Sequence, residues 1–148
     1  MFAATQDAAP PDWITGTGGA IGDGIPLATG AAVACPGRRV VNLQADGSAM
    51  YTLLGLWTQA REKLDVTTVI FANRKYAILL GELASVGANP GRTALDMMDI
   101  GRPDLNFVKL AEGMGVPGAR AETMGQFNDI FGRSMGRSGP FLIELVTE

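Results

Sequence analysis

The chain has 148 residues, 47% of them apolar, 18% charged and 20 of them glycine, which is enough for one domain with its own core. A formal charge of −3 with no basic stripe argues against nucleic acid as a partner, and the lone cysteine, Cys35, excludes an internal disulfide. The absence of histidine excludes histidine-based triads and histidine metal ligands within the chain.

The opening "MFAATQDAAPPDW" is small, polar and proline-bearing, and is expected to be irregular. It lacks the basic and apolar regions of a signal peptide, and no apolar run is long enough to span a bilayer. The expected location is therefore the cytoplasm, with no membrane partner. "GTGGAIGDGIP" (16–26) reads as a glycine-rich turn leading into a helix of small residues, "LATGAAVA", which Cys35, Pro36 and Gly37 stop. Asp23 reads as the cap of that helix. "RRVVNLQ" predicts a short buried strand. From Ser48 to Arg61 the positions Met50, Leu53, Leu54, Trp57 and Ala60 recur at helical spacing and predict one helix with those side chains in the core. "DVTTVIFAN" (65–73) predicts a second strand, and "YAILLGELASV" a helix with Leu79, Leu83 and Val86 on one side. "GANPGRTALDMMDIGRPD" predicts a loop with at most one short helix, carrying the pair Met97-Met98. "LNFVKLAEGMG" predicts a helix with Phe107, Leu110, Ala111 and Met114 on one face, and "VPGARA" a short strand. Thr123 and Gln126 have capping-box spacing, so a helix starts there, with Met124, Phe127, Phe131 and Met135 facing the core. "GPFLIELVT" (139–147) is the last strand. Strands alternating with helices predict an α/β fold: an open parallel sheet with helices on both faces.

The chemistry concentrates where the first strand hands over to a helix, at Asp46-Gly47-Ser48. Ligands of open parallel sheets bind beyond the carboxyl ends of strands. A glycine lets the backbone approach a ligand, and helix-opening amides favour an anion. A carboxylate would repel a phosphate unless a cation stood between them, and magnesium suits carboxylate plus phosphate oxygens. Asn73 ends the next strand and offers a neutral hard oxygen, and the turn Arg74-Lys75-Tyr76 offers a backbone carbonyl. A lone Asp-Gly-Ser is usually a turn or a cap; the strand before, the helix after and the asparagine beyond shift the reading toward a metal–phosphate site.

"ADGSAMYTLLGLWTQAREKLDVTTVIFANRKYAIL" resembles the thiamine-diphosphate motif, an aspartate-glycine pair followed after roughly two dozen residues by an asparagine. "GGAIGDGIPLATGAAVACPGRRVV" resembles the glycine-rich segment before that motif in acetolactate synthases and benzoylformate decarboxylases, and the tail from Phe107 is similar to the last third of the same domain. The resemblance implies that Asp46, Asn73 and the carbonyl of Lys75 bind magnesium, that Gly47 and Ser48 contact the diphosphate, and that Tyr76 and Ala77 close the site. It also implies that Gly19, Ala20 and Ile21 line the aminopyrimidine side, with Ile21 as the apolar wedge that bends the cofactor. Where the family has a glycine before the aspartate, this chain has Ala45, which is tolerable if φ is negative.

Family enzymes take an activating glutamate from a separate pyrimidine-binding domain. Glu62, Glu82, Glu112, Glu122 and Glu144 all fall in segments that read as surface or tail, so no catalytic residue is expected in this chain. The expectation is a diphosphate-binding domain over 1–148, a fragment of a longer enzyme or one subunit of a split one. Its partners would be a pyrimidine-binding domain or subunit, further copies in a homo-oligomer, and a small 2-oxo acid in the full enzyme. The reaction would be that of an acetolactate synthase, with an aromatic 2-oxo-acid decarboxylase and a catalytically silent cofactor-binding or assembly module as alternatives. "GTGGAIGDG" also approaches a dinucleotide fingerprint, but no clear strand precedes it and no acidic ribose partner ends the next strand. Outside the site, Trp13 and Trp57 are expected in the core and Cys35 as a buried small residue, while Leu79 and Leu80 lie where substrate would approach.

Overall fold

The computed structural model describes residues 11–148, so the reading of residues 1–10 lies outside the described residues. A 3-10 turn, Thr17–Gly19, precedes α1 (Gly24–Ala34), which begins three residues earlier than its alanine run because Pro26 is acceptable in a first helical turn. Then follow β1 (Val40–Ala45), α2 (Asp46–Thr52), α3 (Gly55–Arg61), β2 (Val66–Ala72), α4 (Ala77–Ser85), α5 (Arg92–Met98), α6 (Phe107–Gly113), β3 (Gly118–Ala121), α7 (Met124–Met135) and β4 (Phe141–Val146). The four strands form one parallel sheet in the order β1-β2-β4-β3.

Alternation along the strands divides the core. One face carries Ile70 and Leu142 against Ile25, Ala49, Leu56, Phe107 and Ala111 of α1, α2, α3 and α6, and against Leu53 between α2 and α3. The other carries Val69, Ile143 and Leu145 against Ile130, Phe127 and Phe131 of α7. Helices therefore cover both faces, as the sequence predicts, although α7 lies chiefly over β3 and β4. Val41 and Leu43 of β1 and Phe71 of β2 stay exposed.

Several expectations are corrected. The single helix over 48–61 is two helices: bonds from Leu56 N–H to Leu53 O and from Trp57 N–H to Leu54 O tighten the chain between them. Met50, ahead of the break, is exposed as well, since α2 buries Asp46, Gly47 and Ala49 instead. The break rephases the second half, so that Leu56 and Gln59 are buried while Leu54 and Trp57 are exposed and Arg61 lies over the Trp57 ring. α4 buries none of its residues, because it packs on α5 rather than on the sheet. Cys35 is exposed because α1 ends at the surface, and Trp13, in the stretch before the 3-10 turn, is exposed as well. Asp23 sits at the start of α1 with helical φ and ψ and makes no side-chain cap. In α7 Met124 is exposed, and Ile130 and Ser134 are the buried positions. Glu144 is not at the surface but fully buried in β4. Its Oε2 accepts the Phe107 N–H that opens α6, and Arg120 lies 3.3 Å from Oε1.

The capping box at Thr123 forms: its Oγ1 accepts the Gln126 N–H, and Gln126 Oε1 reaches back to the Glu122 N–H. The expected short helix in the irregular segment is α5, and the segment has a second element that alternation could not reveal. Lys75 and Asp99 form an antiparallel bridge beyond the sheet.

Candidate functional site

β1 and β2 run in parallel register with Ala45 opposite Phe71, so Asp46 and Asn73 emerge at the same carboxyl edge. Ala45 has φ −77°, which accommodates its methyl group where the family motif has glycine. Asp46 is 3% exposed. Its Oδ1 accepts the Gly47 N–H at 2.8 Å and its Oδ2 accepts the Arg74 N–H at 2.7 Å, which brings the carboxylate beside Asn73. Among the described residues no lysine or arginine side chain pairs with it. Burying a carboxylate without a cation is costly, and two backbone donors compensate only part of that cost.

Among the described residues no three His, Cys, Asp or Glu side chains gather as a metal cage. The available donors are one buried carboxylate, the Asn73 amide oxygen and the carbonyl of Lys75. Such a set fits a small hard cation that brings phosphate oxygens of its own, and magnesium is of that kind. Asn73 Oδ1 already accepts the Lys75 N–H at 3.1 Å, which aims the side chain along its own turn.

Ser48 joins this edge to the glycine-rich turn. Its Oγ accepts the Gly22 N–H at 2.8 Å and the Gln44 Nε2 at 2.6 Å. A hydroxyl has two acceptor positions and one proton, so both acceptor positions are taken and the proton is left to donate. That polarity suits a phosphate oxygen. Thr52 Oγ1 donates to the Gly22 carbonyl at 2.5 Å, so both polar groups of Gly22 bind α2. Only glycine serves there: φ is +90°, and a Cβ would lie 2.7 Å from that of Tyr51. Gly22, Gln44 and Thr52 were absent from the sequence-derived site; the polar glutamine in a buried strand was the one signal that could have drawn attention to them.

Gly47 is buried beneath the Tyr76 ring, and a Cβ there would lie 2.5 Å from Tyr76 Cε1. The close approach that glycine permits is therefore made, in this structure, by an aromatic side chain. Tyr76 and Ala77 follow the turn as the start of α4, and Lys75 and Ala77 are exposed. Gly19, Ala20 and Ile21 are exposed beside Gly22, with Ile21 61% exposed. A small cavity of about 220 Å³ adjoins the turn, lined by Asn73, Arg74, Lys75, Leu80, Leu95 and Met98 among others. A larger one of about 610 Å³ lies near the opposite ends of the strands, against Ile130, Arg133, Arg137 and Phe141, and touches none of the site residues.

Charge at the turn is balanced by Arg74 and Asp104, with Nε 2.6 Å from Oδ1. The hydrogen bond from Arg74 holds the Asp104 carboxyl below the usual carboxylate range, and the same bond raises the guanidinium.

A parallel α/β sheet thus carries at one carboxyl edge a buried aspartate without a salt bridge among the described residues and a serine whose hydroxyl proton is left to donate. Residues 1–145 match the family model of the thiamine pyrophosphate enzyme C-terminal domain that binds this cofactor, and the chain belongs to that family. It is 57% identical over 145 residues to a Mycobacterium tuberculosis protein named "Putative acetolactate synthase large subunit IlvX", covering 97% of this chain and 28% of that one. It is 31% identical to the benzoylformate decarboxylase of Pseudomonas aeruginosa, covering 94% of this chain and 25% of the relative. Among solved structures, the thiamine-diphosphate-dependent 4-hydroxybenzoylformate decarboxylase of Rhodococcus jostii superposes with a TM-score of 0.74 at 37% identity, over 86% of this chain and 23% of that one. The chain thus spans about a quarter of the length of the relatives it matches. Membership removes the dinucleotide-binding reading. No helix among the described residues is long and apolar enough to cross a membrane.

Proposed function

We propose that this chain binds thiamine diphosphate together with magnesium, as the C-terminal domain of an acetolactate-synthase-like enzyme acting on 2-oxo acids. The observation that carries the reading is the buried Asp46 carboxylate, which has two amide donors but no cation among the described residues. Asp46, Asn73 and the Lys75 carbonyl hold the metal. Ser48 would donate a hydrogen bond from its hydroxyl to the diphosphate, with Gly47 as the adjoining contact. Ile21, with Gly19 and Ala20, supports the aminopyrimidine side. When bound, the cofactor supplies the carbanion-stabilising chemistry that decarboxylation and acyl transfer need.

Residues of the chain bind and orient; none supplies the acid–base group at the pyrimidine. Glu144, the glutamate most thoroughly removed from water, is committed to the Phe107 N–H and Arg120. The activating glutamate belongs to a pyrimidine-binding domain or subunit, and the chain by itself is inactive. The 57% identity to a chain named as an acetolactate synthase supports the synthase reading over the aromatic decarboxylase, whose solved representative is 37% identical. A homo-oligomer in the cytoplasm is part of the same proposal.

The test is titration calorimetry with thiamine diphosphate in magnesium, thiamine diphosphate in chelator, and NAD in magnesium. Heat in the first condition alone is expected. Equal binding in chelator would remove the metal from the proposal.

A further inference from the structure

The turn that carries two of the three proposed metal donors is held in an unfavoured shape. Arg74 has φ +59°, in the left-handed region where a side chain normally costs energy. Its backbone is gripped from both sides. The Arg74 N–H donates to Asp46 Oδ2, and the Arg74 carbonyl accepts the Ile100 N–H at 3.0 Å. One residue on, Lys75 bridges Asp99; then the Tyr76 N–H donates to Met98 O at 2.9 Å. Residues 98–104 thus form a strap across the turn. The strap has its own brace, since Asp99 Oδ1 accepts the Gly101 N–H and Asp99 pairs with Arg102. Its far end is fixed by Asp104, whose carboxylate takes the Arg74 guanidinium just ahead of α6. The head of α6 is in turn held by the buried Glu144.

We infer that Arg74 is a positioning residue: latched to Asp104, it holds the left-handed turn under the 98–104 strap so that Asn73 and the Lys75 carbonyl face the cation beside Asp46. The inference rests on the proposed function for its ligand and on the hydrogen bonds and ion pair of the turn for the latch. A surface pair with no positioning role would be screened and nearly silent. A latch on a left-handed turn would not be, because releasing it lets the turn relax away from its ligating shape.

Three variants separate the possibilities: Arg74→Ala, which keeps the φ penalty and loses the pair; Arg74→Gly, which loses both; and Asp104→Asn, a change at a half-exposed carboxylate that leaves the core untouched. The first measurement needs no ligand. Amide hydrogen exchange at Tyr76 and Ile100 should quicken at least about 3-fold in Arg74→Ala and Asp104→Asn while amides of β2 and β4 keep their rates. Unchanged exchange at Tyr76 and Ile100 would overturn the latch. The second is the magnesium dependence of thiamine diphosphate binding. Arg74→Ala and Asp104→Asn should raise the magnesium concentration at half-saturation roughly 3- to 10-fold, with Arg74→Gly between them and the parent. Equal losses in the glycine and alanine variants would show that the left-handed turn is not what is being held, and parental affinity in all three would overturn the inference outright. A parent chain that binds no thiamine diphosphate would instead defeat the proposed function, and the exchange arm would still decide the latch.

Discussion

The two walls of the candidate site are built differently. The wall at the ends of β1 and β2 has its backbone tied down: Gly47 and Arg74 amides go to Asp46, the Lys75 amide to Asn73, the Tyr76 amide to Met98 O, and the Ile100 amide to Arg74 O. The glycine-rich wall is held at Gly22, through Ser48 and Thr52, and its residues 19–21 protrude into solvent. The proposed cation end is therefore fixed by the chain's own hydrogen bonds, while the apolar end has little on this chain to shape it. Binding energy should come from the first wall, and the bend at Ile21 should matter only once a second domain closes over it.

The sharpest way to break the first wall is Asp46→Ala, which should abolish magnesium-dependent binding of thiamine diphosphate in calorimetry. Because Asp46 is buried, the alanine variant also strands the Gly47 and Arg74 amides and should cost about 1–3 kcal/mol in denaturant unfolding. Asp46→Asn keeps an acceptor, so it should lose the metal with a smaller stability cost; retention of parental affinity in either variant would contradict the assignment of Asp46. Next in size is Gly47→Ala. Its methyl group meets the Tyr76 ring, so about 1–3 kcal/mol of stability and roughly 10-fold in affinity should be lost. Adding Tyr76→Ala should restore most of the stability, and strict additivity of the two changes would show that the ring is not the obstacle.

Against the second wall, Ile21→Gly should change stability by less than about 0.5 kcal/mol and leave the affinity of the isolated chain within about 2-fold, since the side chain is largely exposed. A large affinity loss there would mean that the glycine-rich wall is shaped without help. The smallest effect is the pH response of the strap. Asp104 is held below its unfolded value by Arg74, so its contribution is complete above about pH 4, the unfolded carboxylate value, and vanishes as pH falls through the lower folded value. The melting temperature of the parent should therefore fall slightly further between pH 5 and pH 2.5 than that of Asp104→Asn. Parallel curves would show that the half-exposed pair is fully screened.

Local pattern carried a great deal of this. Strand positions followed from short β-branched runs bounded by turns, and the helix at Thr123 from its capping box, because those signals act within a few residues. Asp46 and Asn73 could be placed at one sheet edge because alternating strands and helices force parallel pairing. Periodicity failed in the places where a neighbour decides. Leu54 and Trp57 turned outward once the chain tightened after Leu53, and α4 kept the look of an amphipathic helix with no sheet beneath it. Glu144 looked like surface because a charge in a strand normally is; its burial depends on Phe107 and Arg120, which lie 37 and 24 residues away by number (144 − 107, 144 − 120).

The sequence by itself determined the parallel α/β class, the family and the residue types at the strand ends, since hydrophobic period, turn chemistry and a motif of fixed order are all local properties. Tertiary structure alone decided which hydrogen bonds those residues make. The irregular stretch after α5 became a strap because its backbone pairs with the turn that follows β2. Arg74 could occupy a left-handed conformation because Asp46, Ile100 and Asp104 surround it, and no pattern within a single segment encodes contacts among three separate ones.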